Sequence, residues 1–110
     1  MSDEEIKIAI AETQHFTKVE ESNGAVYFFR DGAFRGEADA LPDYANDRNA
    51  MAEAENALFP DQWERYGREL EKLVVSEEET AWAIIKFQLI HATARQRAEA
   101  FLRTIGKWKE

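Results

Sequence analysis

The fold of this chain is decided by residues 16–37, which read FTKVEESNGAVYFFRDGAFRGE. Two dipeptides in this stretch, Asn23-Gly24 and Asp31-Gly32, tolerate the positive φ angles that two-residue type I′ turns need. They separate segments that are rich in aromatic and β-branched residues, as strands are: Phe16–Glu21, Ala25–Arg30 and Ala33–Glu37. The stretch therefore predicts an antiparallel meander of two or three strands.

The middle segment of the meander, Val26-Tyr27-Phe28-Phe29, is apolar at consecutive positions. Successive side chains of a strand point to opposite faces of the sheet, so both faces of this strand carry apolar groups. We therefore expect the middle strand to lie between two layers of structure.

The residues before the meander favour a helix. Ser2-x-x-Glu5 is a capping-box pattern, in which each side chain can bond the other residue's backbone amide. The isoleucines of residues 6–10 also alternate as they would in a strand, but the cap favours a helix over about 3–14.

Three further helices are predicted after the meander. Asp43 can cap the first, Pro60 suits the first turn of the second, and Thr93-x-x-Gln96 caps the third. These helices span about 43–58, 61–74 and 93–105.

The region from Ser76 to His91 supports two interpretations. Ser76-x-x-Glu79 is a capping-box pattern that could start a helix, whereas residues 85–89 alternate as in a strand. We favour a short helical turn followed by a strand at about 83–90 that joins the meander.

Together these elements predict a single α+β domain over residues 1–110, with an antiparallel sheet of two to four strands packed by three to four helices. Four aromatic residues carry more apolar surface than so thin a sheet can cover, so a homodimer is as well supported as a monomer. These residues are Trp63, Tyr66, Phe101 and Trp108. We expect Phe101 to be a core residue and Arg97, on the same helix, to face solvent.

The formal net charge is −8, from 22 acidic and 14 basic residues. This charge repels phosphate backbones, so we expect no binding to nucleic acid. Five basic side chains crowd the C-terminal end, and we interpret them as a solvated helix face beside its carboxylates. They are Arg95, Arg97, Arg103, Lys107 and Lys109.

Little in the sequence indicates catalysis. The chain has no cysteine, and its two histidines, His15 and His91, do not form a metal-binding spacing. The polar stretch Asp43–Asn49 could offer oxygens to a divalent cation, but it lacks the turn glycine and final glutamate of a calcium loop. We therefore predict no enzyme and no catalytic, cofactor-binding or metal-binding residue.

The sequence also bears on the compartment. Its start, Met1-Ser2-Asp3-Glu4-Glu5, is acidic where a secretory signal is basic and then apolar. Its apolar stretches, such as Val26–Phe29, are far shorter than a membrane span. We expect a soluble cytoplasmic protein without membrane contact.

Two further blocks stand out: LPDYANDRNAM at 41–51, continued by Glu53, Glu55 and Leu58, and HATARQRAEAFLRTIGKW at 91–108. These blocks resemble those of uncharacterised phage and prophage proteins that carry the phage ABA-sandwich domain. In those proteins the two blocks likewise flank a helix that bears tryptophan or tyrosine. The resemblance covers about residues 40–108. It implies a compact α/β sandwich encoded by a phage or prophage, and it implies no activity, cofactor or catalytic residue.

These observations favour a small phage accessory protein that acts in the bacterial host by contacting another protein. One alternative is an acidic decoy that mimics nucleic acid and occupies a basic channel of a host defence or regulatory protein. A decoy needs Glu20, Glu21, Glu37, Asp39 or Glu77–Glu79 gathered on one face. The other alternative is a weak divalent-metal binder or enzyme that uses the polar stretch at 43–49.

Overall fold

The computed structural model of this protein describes residues 1–75 and 81–110. In this part of the chain five α-helices accompany a three-stranded antiparallel sheet, so the predicted α+β class is confirmed. The elements are α1 (Asp3–Thr13), β1 (Phe16–Glu20), β2 (Val26–Arg30), β3 (Ala33–Gly36), α2 (Arg48–Glu55), α3 (Pro60–Val74), α4 (Trp82–Ile90) and α5 (Ala94–Thr104). A 3-10 turn at Ala38–Ala40 follows the sheet.

The sheet has the strand order β1-β2-β3, as the predicted meander requires. Asp31 and Gly32 have φ angles of 53° and 80°, so the second connection has the two positive φ angles of a type I′ turn. The first connection differs from the prediction. The Gly24 amide donates to the Glu21 carbonyl at 3.0 Å, and of the Asn23-Gly24 pair only Gly24 has a positive φ. A longer turn therefore joins β1 and β2.

The two faces of the sheet have different surroundings. Phe16 and Phe28 point to one face and are buried against the helices. Tyr27, Phe29 and Phe34 point to the other face, where Phe34 is 61% exposed. The expectation that β2 lies between two layers is thus right for one face, while no layer from the described residues covers the aromatic one.

The helices pack in a series that starts at the sheet. Helix α1 contacts β1 and α5, α5 contacts α2 and α3, and α3 contacts α4. The largest fully buried side chains lie in one core: Ile6, Ile10, Phe28, Met51, Phe101 and Leu102. The sheet and α4 are therefore at opposite ends of this series of contacts.

Helices α1, α3 and α5 confirm their predicted bounds to within one residue. Both predicted capping boxes at their N-termini are formed. The Ser2 hydroxyl accepts from the Glu5 amide at 3.1 Å, and the Thr93 hydroxyl accepts from the Gln96 amide at the same distance. Gly106, with φ 76°, follows the end of α5 in the left-handed conformation that favours glycine.

The predicted start of α2 at Asp43 is wrong. The carboxylate of Asp47, and not that of Asp43, accepts from the amides of Asn49 and Ala50, so the helix begins at Arg48. Both aspartates are good capping residues, and the sequence alone does not choose between them. The residues from Asp43 onward form a turn that precedes the helix.

The predicted strand at 83–90 is also wrong, because these residues belong to helix α4. The His91 amide, for example, donates to the Phe87 carbonyl at 3.1 Å. A helix satisfies its own backbone groups, whereas a strand here would need a free sheet edge beside it. The capping-box pattern Ser76-x-x-Glu79 lies outside the described residues.

Candidate protein-binding surfaces

The first candidate surface is the outer face of the sheet, formed by Val19, Tyr27, Phe29 and Phe34, which we call the aromatic sheet face. The ring of Phe34 lies 5.8 Å from that of Tyr27 and 5.6 Å from that of Phe29, measured between centroids. Such cross-strand aromatic contacts stabilise a sheet. They leave Tyr27 and Phe29 half-buried and Phe34 largely open to solvent.

The second candidate surface lies on α4. Among its nine residues only Lys86 is charged. Ile85 is buried, while four large apolar side chains are exposed. We call these four the α4 surface: Trp82, Ile84, Phe87 and Ile90.

The C-terminal end of α4 is held by arginines from other helices. The Ile90 carbonyl accepts from Arg48 at 2.9 Å and from Arg97 at 3.2 Å, and Arg97 also donates to the Ala92 carbonyl at 3.3 Å. These bonds satisfy carbonyls that a helix end leaves without an internal partner. The expectation that Arg97 faces solvent is therefore wrong. No sequence signal indicated this role, because residues 83–90 were expected to be a strand.

A polar cluster lies behind this contact. Arg97 and Glu55 form an ion pair at 3.7 Å, with each side chain about four-fifths buried. The hydroxyl of Tyr66 is buried beside them and meets no hydrogen-bond partner among the described residues. Burial raises the pKa of Tyr66, and the Glu55 carboxylate raises it further. Tyr66 therefore keeps its proton at neutral pH and cannot act as a base there.

The polar stretch at 43–49 does not gather free ligands. The Asn46 amide donates to carboxylate oxygens of Asp43 at 3.1 Å and of Asp3 at 3.2 Å, and Asp3 also pairs with Arg95. Asp47 is engaged as the cap of α2. Within residues 1–75 and 81–110 no group of three or more His, Asp or Glu side chains could hold a metal ion.

The arginines near the C-terminus are paired with carboxylates. Arg95, Arg97 and Arg103 each contact an acidic side chain: Asp3, Glu55, and the pair Glu99 and Glu110. For Arg95 and Arg103 this arrangement agrees with a solvated helix face beside its carboxylates, whereas Arg97 is largely buried. The pairing leaves these three arginines poorly placed to form a patch for phosphates.

The described acidic residues that a decoy would use lie at one end of the sheet, at its two edge strands. Glu20 and Glu21 lie at the end of β1, whereas Glu37 and Asp39 follow β3, and all four are exposed. Strands β1 and β3 form opposite edges of the sheet, about 10 Å apart. The segment Glu77–Glu79 lies outside the described residues.

The aromatic residues that suggested a homodimer are mostly covered by the chain itself. Tyr66 and Phe101 are core residues, and Trp108 is half-buried with the Arg103 guanidinium 5.4 Å from its ring centre. Trp63 is exposed. Most of the large apolar side chains that are exposed in the described residues therefore lie on the sheet and on α4, and Phe59 and Trp63 are exposed near the start of α3.

Comparison with known proteins finds no match: neither a family model, nor a curated protein, nor a solved structure is similar to this chain. In the structure the two sequence blocks at 41–58 and 91–108 contain α2 and α5, which pack against each other. Among the described helices none is long and apolar enough to cross a membrane.

Proposed function

We propose that this protein is a phage- or prophage-encoded accessory protein that acts in the host cytoplasm by binding another protein through its aromatic sheet face. The phage origin rests on the resemblance of the blocks at 41–51 and 91–108. The observation that carries the binding role is the exposed ring of Phe34, which completes an aromatic cluster that no layer of the described residues covers.

The composition of the aromatic sheet face fits a partner interface. Tyrosine and phenylalanine are enriched at the centres of protein interfaces, where a few aromatic residues carry most of the binding energy. Tyr27 and Phe29 are held in place by Phe34, so these rings lose little conformational freedom on binding. Thr17, which pairs with Phe29 in the sheet, is exposed beside them and supplies a polar group for a rim.

The alternatives have weaker support. An acidic decoy needs a continuous array of carboxylates on one face. Glu20 and Glu21 lie at the same end of the sheet as Glu37 and Asp39 but on the opposite edge strand, so the described residues supply two short acidic pairs there. A metal binder or enzyme at residues 43–49 needs free ligands, whereas those carboxylates already accept hydrogen bonds from neighbouring groups. We therefore prefer binding through the aromatic sheet face.

The test is affinity capture from host cells with three forms of the protein. Phe34→Glu places a charge at the centre of the aromatic sheet face. Phe59→Glu is the matched control, because Phe59 is similarly exposed but lies at the start of α3. We expect a protein that is captured by the native chain and by Phe59→Glu but lost with Phe34→Glu. A partner that Phe34→Glu still captures in full would overturn the proposal.

A further inference from the structure

We propose that α4 forms a homodimer interface, in which the α4 surface of one protomer packs against the α4 surface of a second copy. This contact is separate from the aromatic sheet face, so it goes beyond the proposed function. The sequence suggested a homodimer because of four aromatic residues, whereas the interface proposed here lies on α4.

The first argument is the pattern of α4. A helix that is apolar on all sides is normally buried on all sides. Ile85 faces the chain's own interior, and Phe87 lies about 200° further around the helix, on the outward side. Ala83, Phe87 and Ile90 follow the 4-3 spacing with which a helix presents one seam to a partner helix. Helix α4 thus has a second apolar side that the described residues of its own chain leave exposed.

The second argument is the exposed area. The chain exposes 7148 Å², whereas a folded monomer of 12.7 kDa exposes about 6,200 Å². The excess of about 900 Å² is close to the roughly 800 Å² that each partner buries in an interface of standard size. The excess belongs to the chain as a whole, and in size it matches one dimer contact.

The third argument is charge, and it favours a second copy as the occupant. Two chains of net charge −8 repel each other, so they associate best where carboxylates are absent. Residues 81–98 contain no Asp or Glu and include the whole of α4, although Glu77–Glu79 lie just before this stretch in the sequence. An apolar surface is also complementary to its own copy, which a two-fold axis requires. A nearly uncharged contact of this kind is typical of permanent homodimers.

The test compares two substitutions in the full chain by light scattering. Phe87 on α4 and Phe34 on the sheet are 62% and 61% exposed, so Phe87→Glu and Phe34→Glu are matched in chemistry and burial. We expect the native chain and Phe34→Glu to have about twice the monomer mass of 12.7 kDa, and Phe87→Glu to have the monomer mass. Circular dichroism checks that all three are folded. A native chain that stays monomeric at about 100 µM would overturn the proposal, because standard-size interfaces bind more tightly than this.

A second measurement identifies the surface directly. The chain has no cysteine, so a single introduced thiol reports one position. In a dimer formed through α4 we expect a short bis-maleimide to link two Phe87→Cys chains and to leave Phe34→Cys chains as monomers. Efficient linking of Phe34→Cys without linking of Phe87→Cys would place the contact on the sheet and overturn the proposal. A partner captured through the sheet face by the monomeric Phe87→Glu variant would leave the proposed function standing on its own.

Discussion

Helices α4 and α5 are neighbours in the chain and differ in how their sequences relate to their packing. Helix α5 has eleven residues, a capping box at Thr93, and, apart from the largely buried Arg97, charged side chains on the side away from Phe101. Helix α4 has nine residues and apolar groups on every side, although Ile85 is its one buried position. The apolar side of α5 is covered by other elements of the same chain. The apolar residues of α4 extend beyond the side that the described residues of its own chain cover, and a second protein partner would explain them.

The largest expected effect is on the core side of α5. Phe101 is 2% exposed, so Phe101→Ala should lower the free energy of unfolding by about 3–5 kcal/mol, the usual cost of a buried phenylalanine that leaves a cavity. Phe87→Ala on α4 should change the stability of the monomer by less than about 1 kcal/mol, because its ring is mostly exposed. Urea melts at low protein concentration measure both. Equal losses would show that α4 is as much a part of the monomer core as α5.

The next effect concerns the link between the two helices. Arg97→Ala removes the bonds to the carbonyls of Ile90 and Ala92 and leaves the Glu55 carboxylate without its cation. We expect a loss of about 1–3 kcal/mol, as for other buried polar groups left unpaired. Arg68→Ala is the control, since the Arg68–Glu64 pair is exposed and should contribute less than about 0.5 kcal/mol. A similar loss for both arginines would contradict the contacts assigned to Arg97.

A third effect appears at high pH. The pKa of Tyr66 is raised by burial, so the folded state holds this proton above pH 10, where an exposed tyrosine in the unfolded chain loses it. Below about pH 10 both states hold the proton, so the free energy of unfolding does not depend on this group. Above that pH only the folded state holds it, and the free energy of unfolding falls by about 1.4 kcal/mol per pH unit. Tyr66→Phe should therefore reduce the alkaline loss of stability in urea melts while changing little at pH 7. An unchanged alkaline slope would show that Tyr66 does not cause it.

The sequence predicted the elements whose local signals agree with their packing. Capping boxes and amphipathic spacing placed α1 and α5, and Asp31-Gly32 placed a hairpin turn. Helix α4 was missed because consecutive apolar residues fit a strand as well as a helix. The aromatic sheet face was visible as the apolar middle strand, but only the fold shows that its outer side lacks a layer among the described residues. The role of Arg97 depends on a contact between helices, which no local pattern encodes.

The last prediction in order of size concerns nucleic acid, for which we expect no measurable binding. The net charge of −8, and the pairing of Arg95 and Arg103 with carboxylates, leave little attraction for phosphates. We expect no shift of duplex DNA in a mobility assay at physiological salt. A micromolar complex that weakens as salt is added would show that the arginines of α5 form a basic face after all.

The difference between α4 and α5 is tested most directly by the concentration dependence of thermal unfolding. If α4 packs on a second copy, dimer formation stabilises the native state by mass action, and the Tm of the native chain rises with protein concentration. The Tm of Phe34→Glu should rise in the same way, and that of Phe87→Glu should stay constant. A native Tm that does not depend on protein concentration would contradict the account, because it would show that α4 does not pack against a second copy of the chain.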